Sequence, residues 1–441
     1  MFYIVEKESK LSSLENLVKL GCYVEVICSN DLYHPKLTST VAVYIRMLNS
    51  KHGYVIPIDH NEGLNVGKDR VFNILIKASK LYTLNKKNLL YYFNLQEAID
   101  ISLVYCMTNF ERLEYGSDIK SINYFYSKYN NFKDINKLIP LVKLYERSEK
   151  IFDNIKEVLK LDIPSGFDFY NKLAANVFFL IEQNGLGICY DSFNKIFEPR
   201  NPLYNIKDNK VLTYYNLYNA TSRPTNSFNS INFAAIPHTQ EHRKTFQPKN
   251  DYFVEFDFDG YHLRLLCDQM DYPLGKSSAH KQLAKLYFDK EKINDEEYAE
   301  AKQINFQALY GKIPDEHKDL KIFKEIQEYI DAMWSSFNEG GYVWNTQSGK
   351  HFSKQLKDMH PAKLMNYMMQ SLETSNNILI LKEVLRYLKG KKTNIVLYTY
   401  DAILFDFSKE DGKETLKDIE KIMSLDNKFP LKFKFSKDLV L

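Results

Sequence analysis

Short apolar runs dominate the first part of the chain, and helical periodicity follows them. Runs rich in β-branched and aromatic residues predict strands over 23–28, 40–45 and 53–58. From about 116 to 200 the apolar positions recur at helical spacing, and Asn184-Gly185 supplies a helix stop. This order predicts an amino-terminal α/β unit that is followed by helices.

The carboxyl-terminal half mixes both periodicities. The predicted elements are strands over 252–256, 396–398 and 403–405, a hairpin over 341–350, an amphipathic helix over 414–425 and an alternating strand over 431–435. Neither periodicity dominates the chain, so the predicted fold class is mixed α+β.

Composition narrows the class of protein. With 441 residues, of which 44% are hydrophobic, the chain can bury two or three domain cores. No apolar run approaches the length of a membrane span. Charged residues follow Met1–Val5 at once, whereas a signal peptide would have a long apolar stretch there. A cytoplasmic location is therefore expected. The five cysteines are widely spaced and form no CxxC pattern, which favours neither a disulfide framework nor a zinc site.

The charge pattern leaves nucleic-acid binding open. A formal net charge of +3 is modest for a protein whose ligand is a polyanion. Local clusters such as Lys350-His351-Lys354-Lys357 and Lys389-Lys391-Lys392 could form basic stripes, although solvated lysine faces are the commoner explanation of such runs.

Two aspartates and the segment between them carry the candidate chemistry. Asp257 ends the predicted strand 252–256, and Asp401 separates two further strands. A lone aspartate at a strand end is more often a turn or cap residue. Two strand-end carboxylates together can hold a pair of divalent cations for nucleotidyl transfer.

Between the aspartates, three side chains recur every four residues on one side of a predicted helix. They are Lys302, Phe306 and Tyr310. Aromatic residues at this spacing are usually core residues. With a lysine at one end and Tyr310-Gly311 at the other, they could also bind a triphosphate and stack on a base.

Five motifs resemble the palm and fingers of family A DNA polymerases, the bacterial polymerase I and phage replicase group. In chain order they are Thr221-Ser222-Arg223 with 232–237, Asp257–Arg264, Lys302–Gly311, Asn366–Gln370 and Tyr400-Asp401-Ala402. Lys302–Gly311 matches the family pattern Lys-x-x-Asn-Phe-x-x-x-Tyr-Gly without a gap. A single short motif would not be decisive, but five in order are a strong signal.

The resemblance assigns roles to named residues. The catalytic residues are Asp257, Asp401 and Lys302, and the ligands for two Mg²⁺ ions, which Mn²⁺ can replace, are Asp257, the carbonyl of Phe258, and Asp401. The nucleotide-binding residues are Lys302, Phe306, Tyr310 and His262. The DNA-binding residues are Arg223, Gln370, Asn366, Asn232 and Gly311.

Some positions depart from the family pattern. Tyr298 replaces a fingers arginine, Ala362 a second arginine, Ala402 a glutamate and Tyr400 a histidine. His262 replaces the glutamate that excludes a 2′-hydroxyl, and its flat ring could serve the same steric role or relax sugar selection. Asp259 could be an auxiliary metal ligand, although a solvated turn carboxylate is the more common role.

The resemblance also implies a domain order. The expected domains are 1–115, a degenerate 3′–5′ exonuclease-like domain of ribonuclease H type; 116–209, a helical connector and reduced thumb; 210–270, the first part of the palm; 271–364, the fingers; and 365–441, the second part of the palm. At the positions of the family's metal-binding acidic residues, this chain has Ile27, Ser29 and the neighbourhood of Tyr91-Tyr92. Without those carboxylates, the domain is expected to act as a scaffold.

The expected function is DNA-templated DNA synthesis from dNTPs on primer–template DNA, in viral or phage genome replication in the host cytoplasm. The reduced thumb implies a protein partner, such as a processivity factor, a helicase–primase or a second polymerase subunit. Two alternatives remain. One is a primase or RNA polymerase-like enzyme with relaxed sugar selection, and the other is a non-catalytic replisome scaffold.

Overall fold

The computed structural model describes residues 2–116, 120–128, 132–197, 205–226, 231–237, 239–309 and 313–441. The chain forms two compact units. The first contains most of the chain up to Phe179, and the second contains most of the chain from Leu180 onward.

The first unit is built on a mixed six-stranded sheet with the order β1-β4-β3-β2-β5-β6. Its strands are β1 (Phe2–Ile4), β2 (Cys22–Cys28), β3 (Thr40–Met47), β4 (Gly53–Pro57), β5 (Leu81–Thr83) and β6 (Ile99–Asp100). The central strands β2, β3 and β4 pair antiparallel, and the outer pairs are parallel. The three strands predicted in this region are confirmed.

Helices cover both faces of this sheet. They are α1 (Glu8–Val18), α2 (Lys68–Leu75), α3 (Lys86–Tyr92), α4 (Ile101–Asn109), α5 (Lys120–Lys128) and α6 (Leu141–Ile155). Farther along the chain, a π-helical stretch (Phe169–Ala174) leads into α7 (Ala175–Glu182). Successive side chains of β2 point to opposite faces of the sheet, so each face has its own core. Val24 packs in one core with α1 and α2, and Tyr23 packs in the other core with α6.

The remaining strands include the central sheet of the second unit. They are β7 (Leu186–Gly187), β8 (Ile206–Lys207), β9 (Lys210–Val211), β10 (Tyr215–Asn216), β11 (Thr225–Asn226), β12 (Tyr252–Phe258), β13 (Tyr342–Trp344), β14 (His351–Ser353), β15 (Asn394–Thr399), β16 (Ala402–Phe407) and β17 (Leu431–Ser436). Four of them form an antiparallel sheet with the order β15-β16-β12-β17. The predicted strands of this half are confirmed within one or two residues.

Helices of the second unit carry most of the remaining candidate residues. They are α8 (Tyr190–Phe197), α9 (Gln240–Arg243), α10 (Tyr261–Gln269), α11 (Ala279–Phe288), α12 (Asp295–Ala308), α13 (Lys321–Gly340), α14 (Pro361–Tyr387) and α15 (Glu414–Met423). Asn294 and Glu297 form a capping box at the start of α12, and the acidic first turn suits the helix dipole. None of the described helices is long and apolar enough to cross a membrane.

Gly260 makes the sharp connection from β12 to α10. Its φ angle of +60° lies in the left-handed region, and a Cβ there would come within 3.1 Å of the Cβ of Ala279. Both conditions favour glycine. The connection turns the chain directly after Asp257 and Phe258, so α10 begins beside the end of the sheet.

Candidate active site

The sheet brings the two candidate metal-binding aspartates to the same edge. Asp257 lies at the end of β12 directly opposite Ala402 of β16, and Asp401 occupies the turn before β16. The backbone N–H of Phe258 donates to the carbonyl oxygen of Asp401 at 3.0 Å. The two residues are therefore neighbours although 144 positions separate them in the sequence.

Both carboxyl groups have raised pKa values. Partial burial and then the charge of Asp401 raise the pKa of Asp257 to about 6, while Lys432 opposes the shift. Asp401 is exposed as a whole residue, yet loss of hydration around its carboxyl and then the charge of Glu373 raise its pKa. Each shift reflects loss of hydration first and a nearby negative charge second, and a bound cation would lower both pKa values.

The donor set fits a hard divalent cation. Two carboxylates and a backbone carbonyl, that of Phe258, are oxygen ligands of the kind that Mg²⁺ prefers, with water and phosphate filling the other positions. Among the described residues, no group of three or more His, Cys, Asp or Glu side chains is arranged to hold a metal ion. Any ion at this edge would therefore depend on the aspartate pair, the Phe258 carbonyl, water and substrate oxygens.

A buried glutamate that the sequence did not single out organises the neighbouring side chains. Glu373 of α14 is 1% exposed and forms an ion pair with Arg223, whose Nε lies 2.8 Å from Oε2. His262 of α10 approaches the other carboxylate oxygen, with Nε2 3.3 Å from Oε1. Glu373 thus joins the predicted DNA-binding arginine to the predicted sugar-contacting histidine.

Tyr400 connects this cluster to Asp401. The Arg223 guanidinium carbon lies 3.7 Å from the centroid of the Tyr400 ring, in cation–π geometry. Tyr400 has a φ angle of +68°, which is uncommon for a tyrosine. The side-chain amide of Asn377 donates to the Tyr400 carbonyl oxygen at 2.7 Å and thereby supports the turn.

One face of α14 carries several of these polar residues. Asn366, Gln370, Glu373 and Asn377 recur every three or four positions, so they follow one stripe of the helix. Gln370 donates to the side-chain oxygen of Asn366 at 3.0 Å. Asn232 is the remaining predicted DNA-binding residue that the structure describes, and it is exposed just before a short 3₁₀ helix, Phe233–Ala235.

Helix α12 presents Lys302 and Phe306 on its exposed side. The Lys302 ammonium lies 5.9 Å from the centroid of the Phe306 ring, and Phe306 is 46% exposed. The other two residues predicted on this helix motif, Tyr310 and Gly311, lie outside the described residues. The described part of the motif therefore offers one cation and one aromatic ring to a ligand.

His280 packs against α12 and is another residue that the sequence did not single out. Its ring is buried, lies 6.0 Å from the ring of Phe306, and its Nδ1 is 2.9 Å from the Asn305 amide nitrogen. Burial lowers the pKa of His280 to about 4, and Lys302 adds to this effect, so the imidazole is neutral at neutral pH.

Asp259 is buried, in contrast to the solvated turn carboxylate considered from the sequence. It is 4% exposed, accepts a hydrogen bond from the backbone of Ala279 at 2.8 Å, and forms ion pairs with Arg264 and Lys432. These partners hold its pKa below the usual range even though burial alone would raise it. The contacts give Asp259 a structural role that ties β12, α11 and β17 together.

Tyr298, which stands where the family pattern has an arginine, has a lysine beside it. Tyr298 lies on α12, one turn before Lys302. The ammonium of the exposed Lys281, on α11, lies 5.8 Å from the centroid of the Tyr298 ring. The position thus keeps a cation nearby, supplied by α11 and not by α12.

Comparison with known proteins supports the fold. No family model matches the sequence, and no curated protein matches it. Among solved structures, the chain is similar to the POL domain of Pol1 from M. smegmatis in complex with DNA primer-template and dNTP, with a TM-score of 0.68 and 11% identity over 100% of this chain and 99% of that one. The predicted fold class, a mixed α+β fold of the right-hand polymerase type, is confirmed.

Proposed function

We propose that this protein is a DNA-templated DNA polymerase that extends a primer with deoxynucleotides. The observation that carries the proposal is the adjacency of Asp257 and Asp401 at one sheet edge, beside the cluster of Arg223, Glu373 and His262. The solved structure of similar fold contains a primer–template and a dNTP, which supports the same ligands here. A scaffold would have no chemical need for the aspartate pair.

The reaction is in-line attack of the primer 3′-hydroxyl on the α-phosphate of a dNTP, with pyrophosphate as the leaving group. Asp257, Asp401 and the Phe258 carbonyl would hold two Mg²⁺ ions, which Mn²⁺ could replace. The ions would neutralise negative charge on the attacking and leaving oxygens. Lys302 would neutralise the triphosphate, and its ammonium is the candidate proton donor to pyrophosphate. Lys281 would add a second positive charge beside Tyr298.

Other residues of the site would position the substrates. Phe306, together with Tyr310 and Gly311, would contact the incoming base pair, whereas Arg223, Asn232, Asn366 and Gln370 would contact the duplex. Hydrogen-bond acceptors in the minor groove occupy similar places in every correct pair, so such contacts test shape more than sequence. The ion pair with Glu373 fixes the direction of the Arg223 side chain.

Primer extension tests the proposal. A labelled primer on a DNA template with Mg²⁺ is expected to lengthen with dNTPs, and the Asp401→Ala variant is expected to lose this activity by at least about 10³-fold because one metal ligand is removed. Asp406→Asn is a control, since Asp406 is buried in β16 and accepts backbone hydrogen bonds away from the reacting atoms. Undiminished extension by Asp401→Ala would contradict the assignment.

A nucleotidyltransferase with relaxed sugar selection is the second candidate, because His262 and not glutamate stands at the predicted sugar contact. Its contact with Glu373 would hold the imidazole in a fixed direction, which favours exclusion of the 2′-hydroxyl. His262→Ala is expected to raise ribonucleotide incorporation relative to deoxynucleotide incorporation by about tenfold. Unchanged discrimination would remove His262 as the contact that excludes ribonucleotides.

Residues 1–115, which lie in the first unit, are proposed to retain an exonuclease-like fold without proofreading activity. Ile27 and Ser29, the positions of two expected carboxylates, are fully buried. Nearby, the buried Arg147 lies 2.7 Å from Asp31 and 3.6 Å from Glu25, so its guanidinium neutralises carboxylates that could otherwise attract a metal ion. Metal-dependent primer degradation that disappears in Asp31→Ala or Asp100→Ala would refute this proposal.

The proposed biological role is replication of a viral or phage genome with a protein partner. Between Tyr190 and Tyr215, the described residues contain only one helix, α8, with 8 residues. This supports a reduced thumb and hence a partner that encloses the duplex, such as a processivity factor, a helicase–primase or a second polymerase subunit.

A further inference from the structure

The hairpin formed by β13 and β14 displays aromatic side chains to solvent. Tyr342 and Trp344 are two residues apart on β13 and therefore share a face, and Trp344 pairs across the hairpin with His351 of β14. Tyr342 is 49% exposed and Trp344 is 55% exposed. These three residues are called the aromatic face below.

The rings of the aromatic face already contact one another. The His351 ring stacks on Tyr342 with centroids 4.6 Å apart and an interplanar angle of 16°. Trp344 meets His351 edge-on at 5.9 Å and 82°. The rings support one another, so little side-chain freedom remains to be lost when a ligand stacks on them.

The opposite side of the hairpin is anchored. Val343 and Phe352 point into the protein and are buried. The Asn345 side chain donates to the hydroxyl oxygens of Ser371 and Ser375 on α14 at 2.9 and 3.0 Å. The aromatic face is therefore a fixed part of the second unit.

Exposed lysines follow the hairpin along the chain. Residues 350–363 contain four lysines and one acidic residue, Asp358. Lys350 is buried beside the Ser222 hydroxyl, but Lys354 and Lys357 are exposed. The backbone of Lys354 donates to the Gly341 carbonyl oxygen at 3.2 Å, so this basic segment starts next to Tyr342.

We propose that the aromatic face binds single-stranded DNA, with bases stacked on Trp344 and Tyr342 and phosphates held by Lys354 and Lys357. Exposed rings beside cations match the alternation of flat bases and negative phosphates in an unpaired strand, whereas a duplex hides its base faces. The choice of DNA over RNA rests on the proposed function. The site is separate from the residues that carry nucleotidyl transfer.

Trp344 can report its own contact, because the chain has two tryptophans. In the Trp334→Phe variant, fluorescence comes from Trp344 alone, and titration with oligothymidylate is expected to quench it. In the matched Trp344→Phe variant, fluorescence comes from Trp334, a partly buried residue stacked on Phe337, and is expected to stay unchanged. The titration contains no dNTP and no divalent cation. The polymerase assay can therefore fail while this test succeeds, and this test can fail while the polymerase assay succeeds.

Affinity provides the second measurement. Trp344→Ala is expected to weaken oligothymidylate binding about tenfold, whereas Trp344→Phe keeps a stacking ring and most of the affinity. Replacing both Lys354 and Lys357 with alanine is expected to reduce the slope of log affinity against log salt. No quenching of Trp344, or equal quenching by blunt duplex DNA, would overturn the proposal, and tighter binding of oligouridylate would overturn the choice of DNA.

Discussion

Glu373 draws together side chains that lie far apart in the sequence. It contacts Arg223 from the segment before β12 and His262 from α10. Loss of hydration raises the pKa of Asp401, and the charge of Glu373 adds to that shift. A buried carboxylate without partners would be costly, so the cluster depends on all of its members. A change at any one of them is expected to affect the others.

A double-mutant cycle should measure this dependence. Arg223→Met and Glu373→Gln, alone and combined, are expected to show a coupling of about 1–3 kcal/mol in the free energy of unfolding. The first change removes the arginine partner of the buried Glu373, and the second leaves the half-buried Arg223 without its counter-ion. Urea denaturation provides the measurement.

The exposed pair Lys392 and Glu410, with Nζ and Oε2 2.6 Å apart, is the control. No measurable coupling is expected there, because water screens exposed charges. Equal coupling in the two cycles would show that burial of Glu373 has no energetic consequence.

His280 should make stability depend on pH. Its folded-state pKa of about 4 lies below the ordinary value of 6.5, since burial outweighs the opposing charge of Asp259, and Lys302, Lys432 and Arg264 add to the lowering. The unfolded chain therefore binds the proton more tightly, and stability falls as pH drops from 6.5 toward 4.

The expected loss is about 2–3 kcal/mol at pH 4.5, relative to pH 7, from this residue alone. His280→Asn carries no titrating group and should lose correspondingly less. Urea denaturation of both proteins at pH 7 and pH 4.5 compares them, and equal losses would contradict a buried neutral imidazole.

At the scale of elements, the turn between β12 and α10 depends on Gly260. Gly260→Ala is expected to destabilise the protein by about 1–3 kcal/mol, because alanine resists the left-handed conformation and its Cβ would crowd Ala279. Thermal unfolding measures the effect.

Gly340 is a matched control with the opposite expectation. It lies at the end of α13, and a Cβ there meets no atom within 4 Å. Gly340→Ala is expected to stabilise the protein by about 0.5–1 kcal/mol through helix propensity. Destabilisation of similar size at both glycines would mean that local geometry does not decide the outcome.

The longer strands could be predicted from sequence because their apolar residues form patterns with a clear period. Two-residue strands such as β7 and β9 are too short to show one. Glu373 was missed because α14 buries polar residues, including Ser371 and Asn377, so its pattern does not separate buried from exposed positions. Its partners were also unpredictable, since Arg223 is 150 residues away.

At the scale of the whole molecule, synthesis is expected to be distributive. A short α8 and a described region without long clamping helices between Tyr190 and Tyr215 would leave the duplex weakly held by this chain alone. At high dilution and with excess trap DNA, the isolated protein is expected to add only short extensions per binding event. Gel analysis of product length measures this, and long products under these conditions would refute the need for a partner.

The pairing register of β12 decides which residues can reach substrate. Asp257 shares a sheet face with Lys432, whereas its neighbour Phe256 pairs with Phe433 on the other face. Losing one codon from the middle of β12 would preserve the apolar composition and most of the strand, yet would turn the carboxylate toward the opposite side. Evolution in this segment should therefore proceed through exchanges of residues and almost never through insertions or deletions.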